Sequence, residues 1–157
     1  MLSALSKHAR GLAADRRGNL ILEFALAMPI LFLLLVGLLD LGRYSLQKSA
    51  LLQGAREGAQ YGIISPTDSA NIDATARNAT GVTGATASNN VFCECVSGTT
   101  VLCTTTCSGG ATLKKYVTVT TTASFTSVLR SATTHFGSYG SWSPPTSTTA
   151  SITLIVP

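Results

Sequence analysis

One carboxylate, Glu23, stands inside an otherwise uncharged apolar run, residues 20–39. A charged acid in hydrocarbon is costly and is by default a sign of function. The plainer reading is that a Glu near a helix end snorkels to the headgroups. Gly18 sits two residues before the run and Glu23 is the fifth residue after it. The second group with chemistry is Cys93, Cys95, Cys103 and Cys107, spaced C-x-C-x7-C-x3-C. Four thiols so close together serve as a disulfide framework or as a zinc site. Zinc sites of four cysteines usually use C-x2-C pairs, which this spacing lacks. On a strand Cys93 and Cys95 share a face, about 6–7 Å apart, too far for a direct bridge. Two bridges tying 93/95 to 103/107 are expected, in either of two patterns.

No constellation for catalysis is present. The histidines are His8 and His135, and there is no GxSxG elbow, HExxH or phosphate loop. Asp68, Asp73 and Glu94 are too scattered to form an acid–base pair. No enzymatic activity, cofactor or metal is expected.

The elements that must position these residues begin with the apolar run. Its 20 residues match the length needed to cross a hydrocarbon core of roughly 30 Å. It is too long for a signal-peptide core, and no small-x-small cleavage motif follows it. Lys7, Arg10, Arg16 and Arg17 oppose Asp15 before residue 19, whereas seven bases meet six acids in the remainder. The positive-inside rule therefore puts the N-terminus in the cytoplasm and everything after Arg43 outside it. The net charge of +4 does not point to nucleic acid, because the bases beyond the leader are scattered and make no phosphate-tracking stripe. The chain of 157 residues has room for one small domain beside this segment.

A basic leader ending in Gly, then an apolar helix with Glu at the fifth position, resembles the prepilin signature of type IV pilins and pseudopilins. The resemblance implies cleavage between Gly18 and Asn19 by a prepilin peptidase at the cytoplasmic face. Gly leaves the scissile backbone unencumbered. The new amine on Asn19 would lie about 6 Å along a helix from Glu23. A neighbouring subunit's Glu23 could pair with that amine and set axial register.

Further along, the chain is similar to the TadE-like family, minor pseudopilins of tight-adherence (Flp) pilus systems. The matching pieces are Arg17 and Gly18; Glu23, Phe24 and Ala25; Pro29; the Asp40, Leu41, Gly42, Arg43 step; and Ala55 to Ala59. The resemblance covers roughly the first 65 residues. It implies a minor pilin in a bacterial inner membrane, acting in pilus assembly and surface adhesion. The implied partners are other pilin-like subunits, the peptidase, the inner-membrane assembly platform and membrane lipid. An unprocessed, membrane-anchored binding module is the alternative; it needs neither Gly18 nor Glu23 at this spacing.

The expected fold is α+β: a leader (1–18), a transmembrane and extended helix (19–64), and an extracytoplasmic domain (65–157). Beyond Arg43 an apolar stripe is expected through Tyr44, Leu46, Leu51, Leu52, Ala55, Ala59 and Tyr61. Gly54, Gly58 and Gly62 recur every four residues and permit close approach, to this chain's own domain or to a neighbouring subunit. Pro66 ends the helix, and Thr67 or Asp68 caps a short second one, residues 68–79. Strands are expected over residues 90–96, 100–105, 116–126 and 151–156, the third alternating Thr with Val. Trp142, in a Ser/Gly/Pro-rich loop, is expected to cover a small core.

Overall fold

The computed structural model describes residues 16–96, 98–128, 134–135 and 141–157. The leader bases Lys7 and Arg10 and the side chains of Asn19, His135 and Trp142 lie outside what is described, so the readings placed on them stand as expectations. Two compact units divide at Asp40 and Leu41.

A single helix, α1, runs Arg16–Ile64 over 49 residues and continues through Pro29. Pro lacks the N–H that would bond four residues back, a loss that membrane helices tolerate. In the first unit the described side chains from Leu20 to Leu39 are exposed except for a half-buried Val36 and Gly37. Leu22 and Phe32, at 61% and 67%, are typical. A helix apolar on every side finds no stable place in water. The stretch is long and apolar enough to cross a membrane.

In the second unit the last turns of α1 pack with α2 (Ser69–Ala79) on one face of an antiparallel sheet. The strands are β1 (Thr86–Val96), β2 (Thr99–Val101), β3 (Lys114–Ser124) and β6 (Ser147–Val156), in the order β2-β1-β3-β6. Two short strands, β4 (Thr134–His135) and β5 (Ser141–Trp142), pair separately. The α+β architecture expected from the sequence is thus what the chain adopts.

The core is thin and made of small side chains. Ala55 and Ala59 of α1 and Ile72 and Ala76 of α2 are fully buried against Val117 and Val119 of β3, and the fully buried Leu51 packs in a second cluster with Ala85, Ala123 and Ala150. Glycine makes that closeness possible. A Cβ on Gly54 would collide with Thr80 and lie 2.5 Å from the Ala76 carbonyl oxygen; one on Gly62 would lie 3.0 Å from Val117. The glycine face therefore packs on the chain's own domain. Leu46 does not join the stripe and is 74% exposed. The 3.6-residue period carries the Leu51 and Ala55 face back to Gln47, not to Leu46.

Thr121 is also fully buried; its hydroxyl donates to the Leu51 carbonyl at 2.8 Å, which ties β3 to α1. The equally buried Thr148 hydroxyl has no partner among the described residues.

Two strands are longer than alternation alone suggests, β3 keeps its expected length but starts two residues earlier, and β2 is shorter. β1 begins at Thr86, because Thr86 pairs with Thr122, and β6 begins at Ser147, opposite Ser124. β2 stops at Val101, short of the expected residue 105, where the Thr105 N–H turns back to the Leu102 carbonyl at 2.9 Å. The outward face of the sheet carries ranks of Thr86, Thr122 and Thr149; Ser88, Thr120 and Ser151; and Asn90, Thr118 and Thr153. Cross-strand threonine hydroxyls meet at 2.7 Å (118 with 153) and 3.2 Å (122 with 149).

Candidate functional site

Gly18 and Asn19 lie in the first turn of α1, and Glu23 follows one turn later with its side chain exposed. Asn19 and Glu23 are four apart, hence neighbours on one helix face with about 6 Å of axial rise between them. Glu23 thus lies, exposed, near the start of an exposed apolar stretch. Among the described residues, no acid–base pair or nucleophile–base pair stands with it.

At the other end of the apolar run Asp40 is only 8% exposed, unlike every side chain from 20 to 35. Both Asp40 and Arg43 are engaged with partners. Three residues on, the second unit builds an aromatic contact that the sequence did not advertise. Phe125 is 7% exposed; the Tyr44 ring meets it edge-on at 5.3 Å, and the Arg43 guanidinium carbon stands 6.0 Å from its centroid. Gln47 donates to the Ser124 carbonyl at 2.9 Å beside it. A charged residue and an aromatic at adjacent helix positions were the only signal for this site, and Phe125 lies too far along the chain to be tied to them by spacing.

The four cysteines form the bridges Cys93–Cys103 and Cys95–Cys107, one of the two patterns left open. No cysteine is free, so none is left to ligate zinc as a thiolate. Among the described residues, no group of three or more His, Cys, Asp and Glu side chains comes together to hold a metal ion. The bridges fasten β1 to the turn beyond β2, where the pairing slips in register between Glu94 and Val96. Cys93 is fully buried.

The junction between α1 and α2 carries a second polar cluster. Asp68 caps α2, accepting from the Asn71 backbone N–H at 3.3 Å and its side-chain amide at 2.7 Å. The Tyr61 hydroxyl donates to the same carboxylate at 3.1 Å. Asn71's amide holds the Asp68 carboxyl below its ordinary value, and the hydrogen bond to Asp68 holds the Tyr61 hydroxyl above its own. Asn89 of β1 fastens α2 from the sheet side, donating to Asp73 at 2.7 Å and to the Ser69 hydroxyl at 2.8 Å. These contacts are structural; they orient α2 and leave no open polar site.

No curated protein and no solved structure matches the chain. A family does: residues 18–60 match the TadE-like proteins. The matched stretch begins at Gly18 and takes in Glu23, the Asp40 to Arg43 step and the first two of the three spaced glycines. The resemblance read from the sequence is borne out over residues 18–60, the stretch in which the chain is similar to the TadE-like proteins.

Proposed function

We propose that the protein is a minor pilin of a Tad (Flp) pilus, cut after Gly18 and assembled through its N-terminal helix. The TadE-like segment supports a Tad pilus-associated protein, and the exposed apolar helix supports a membrane anchor. One observation carries the finer reading. Gly18, Asn19 and Glu23 open a helix whose apolar surface no other part of the described chain covers.

In this reading the apolar surface faces lipid before assembly and other pilin-like helices afterwards. Removal of residues 1–18 frees a cation at Asn19. Glu23 of an adjacent subunit then pairs with it in a low-dielectric setting, where the cost of leaving either charge alone selects one axial register. The sheet domain lies outside the cytoplasm, in an oxidising compartment where its two bridges persist. It is displayed at the surface, where it serves pilus assembly and adhesion. The role is structural, through binding and assembly rather than catalysis.

Glu23→Gln tests the pairing. The variant keeps size and helix propensity but lacks the charge. It is expected to insert and be cut normally, yet to reach sheared pilus fractions at a small fraction of the wild-type level. Wild-type incorporation of Glu23→Gln would remove the charge pair from the account.

A further inference from the structure

We infer that the sheet domain binds an uncharged carbohydrate chain in the cavity between residues 124–127 and 143–146. The inference rests on the reading of this domain as displayed and adhesive, and it names the chemistry of what is held. The whole site lies within the second unit.

The cavity measures about 360 Å³, inside the range of about 300–1,000 Å³ that small-ligand sites occupy. Ser124 and Thr126 on one side and Ser143 and Thr146 on the other line it with hydroxyls. All four residues are exposed. Each hydroxyl can both donate and accept. That suits a ligand whose own polar groups are hydroxyls, since a pair forms whichever way either proton points. Pro144 and Pro145 add apolar C–H surface, against which the C–H face of a sugar ring packs. Their fixed φ angles hold the segment in shape before a ligand arrives, which lowers the cost of binding.

Two other ligand classes fit this wall poorly. No described lining residue is charged, and Arg43, which approaches Phe125, is engaged with a partner, so nothing here selects a phosphate or a carboxylate. A peptide strand needs free backbone N–H and C=O groups to pair with. Here the Phe125 N–H donates to the Thr146 carbonyl at 2.9 Å, and the Ser124 carbonyl accepts from Gln47 at 2.9 Å.

The surface beside the cavity continues the pattern. Ser124 stands opposite Ser147 at one end of the outward sheet face, and the next ranks along it are Thr122 with Thr149, Thr120 with Ser151, and Thr118 with Thr153. Successive ranks lie about 7 Å apart, two residues along a strand. No charge interrupts them; Glu94 and Lys114 stand opposite each other at the far end of that face. A chain longer than the cavity therefore runs on over hydroxyls.

The test uses the full chain in lipid nanodiscs, free of sugar-based detergent. It is applied to an array of uncharged oligosaccharides (glucans, mannans and N-acetylglucosamine chains) and their sulfated or uronate counterparts. The wild type is expected to bind an uncharged series and to prefer it to its acidic counterpart. Ser143→Ala with Thr146→Val removes two hydroxyls from one side of the cavity, and Thr126→Val removes one from the other. The double variant should bind about tenfold more weakly and the single one about threefold, at unchanged melting temperature. Thr100→Val, exposed on β2, should bind as the wild type does. No binding to any uncharged chain, binding to acidic chains alone, or wild-type affinity in both cavity variants overturns the inference. Glu23→Gln should bind sugar normally, so a failure of the pilus reading and a failure of this one are read apart.

Discussion

Gly58 has room for a hydrogen and little else. A Cβ there would stand 2.6 Å from the Ala76 Cβ and 3.0 Å from the Ile72 carbonyl oxygen. Neither can yield without moving α2, because one is a short rigid side chain and the other is backbone. Gly58→Val should therefore destabilise the domain by about 1–3 kcal/mol, the usual cost of overpacking, and more if α2 detaches. Thermal unfolding followed by circular dichroism measures it, with the exposed neighbour Glu57→Ala as a near-neutral control. The four-residue recurrence of glycine was legible in the sequence; the surface it meets was not. A row of small residues fits a helix of the same chain or of another equally well, and only the position of Ala76 and Thr80 decides. Glu23 is the converse case. Its spacing from Gly18 is fully legible, and the fold adds only that its side chain is exposed.

Among the elements, α1 was the most legible, because apolar length and the absence of turn residues fix it without tertiary help. The sheet was legible where Thr alternates with Val in β3 and obscure elsewhere. The first half of β6 is Ser, Thr, Thr and Ala, which reads as a loop until β3 supplies its ladder partners. β2 was overextended for the opposite reason: its Thr-rich continuation favours strand locally, but the turn at Leu102 and the Cys93–Cys103 bridge divert the chain. The bridges themselves suit so thin a core, each worth about 2–4 kcal/mol in the usual range.

The α1–α2 junction gives a prediction at this scale. Asp68 titrates below its ordinary 3.8 in the folded chain, so its contribution to stability is present above that value. It is lost as pH falls through the lower folded value. Tyr61 titrates above 10.0, so its contribution is present below that pH and lost as pH rises through the higher folded value. Asp68→Asn keeps a good capping side chain and removes the carboxylate. Melting curves taken across the acid range should show a shallower fall in Tm for this variant than for the wild type. An unchanged acid slope would assign the loss of stability to other carboxylates.

For the whole molecule, one long helix serves two environments. Its first half is an exposed apolar surface, and its second half is the backbone of a small sheet domain built on alanine and glycine contacts. The family match stops at residue 60, before α2 and the sheet, so the matched stretch ends within α1. The proposed reading accounts for Gly18 and for Glu23 at this spacing; an anchor alone needs neither. The most direct test is the N-terminus of the mature protein, read by mass spectrometry from cells that carry the cognate pilus machinery. The account predicts a chain that begins at Asn19. A chain that keeps its leader in the presence of active prepilin peptidase would contradict it and leave a membrane-anchored binding module in its place.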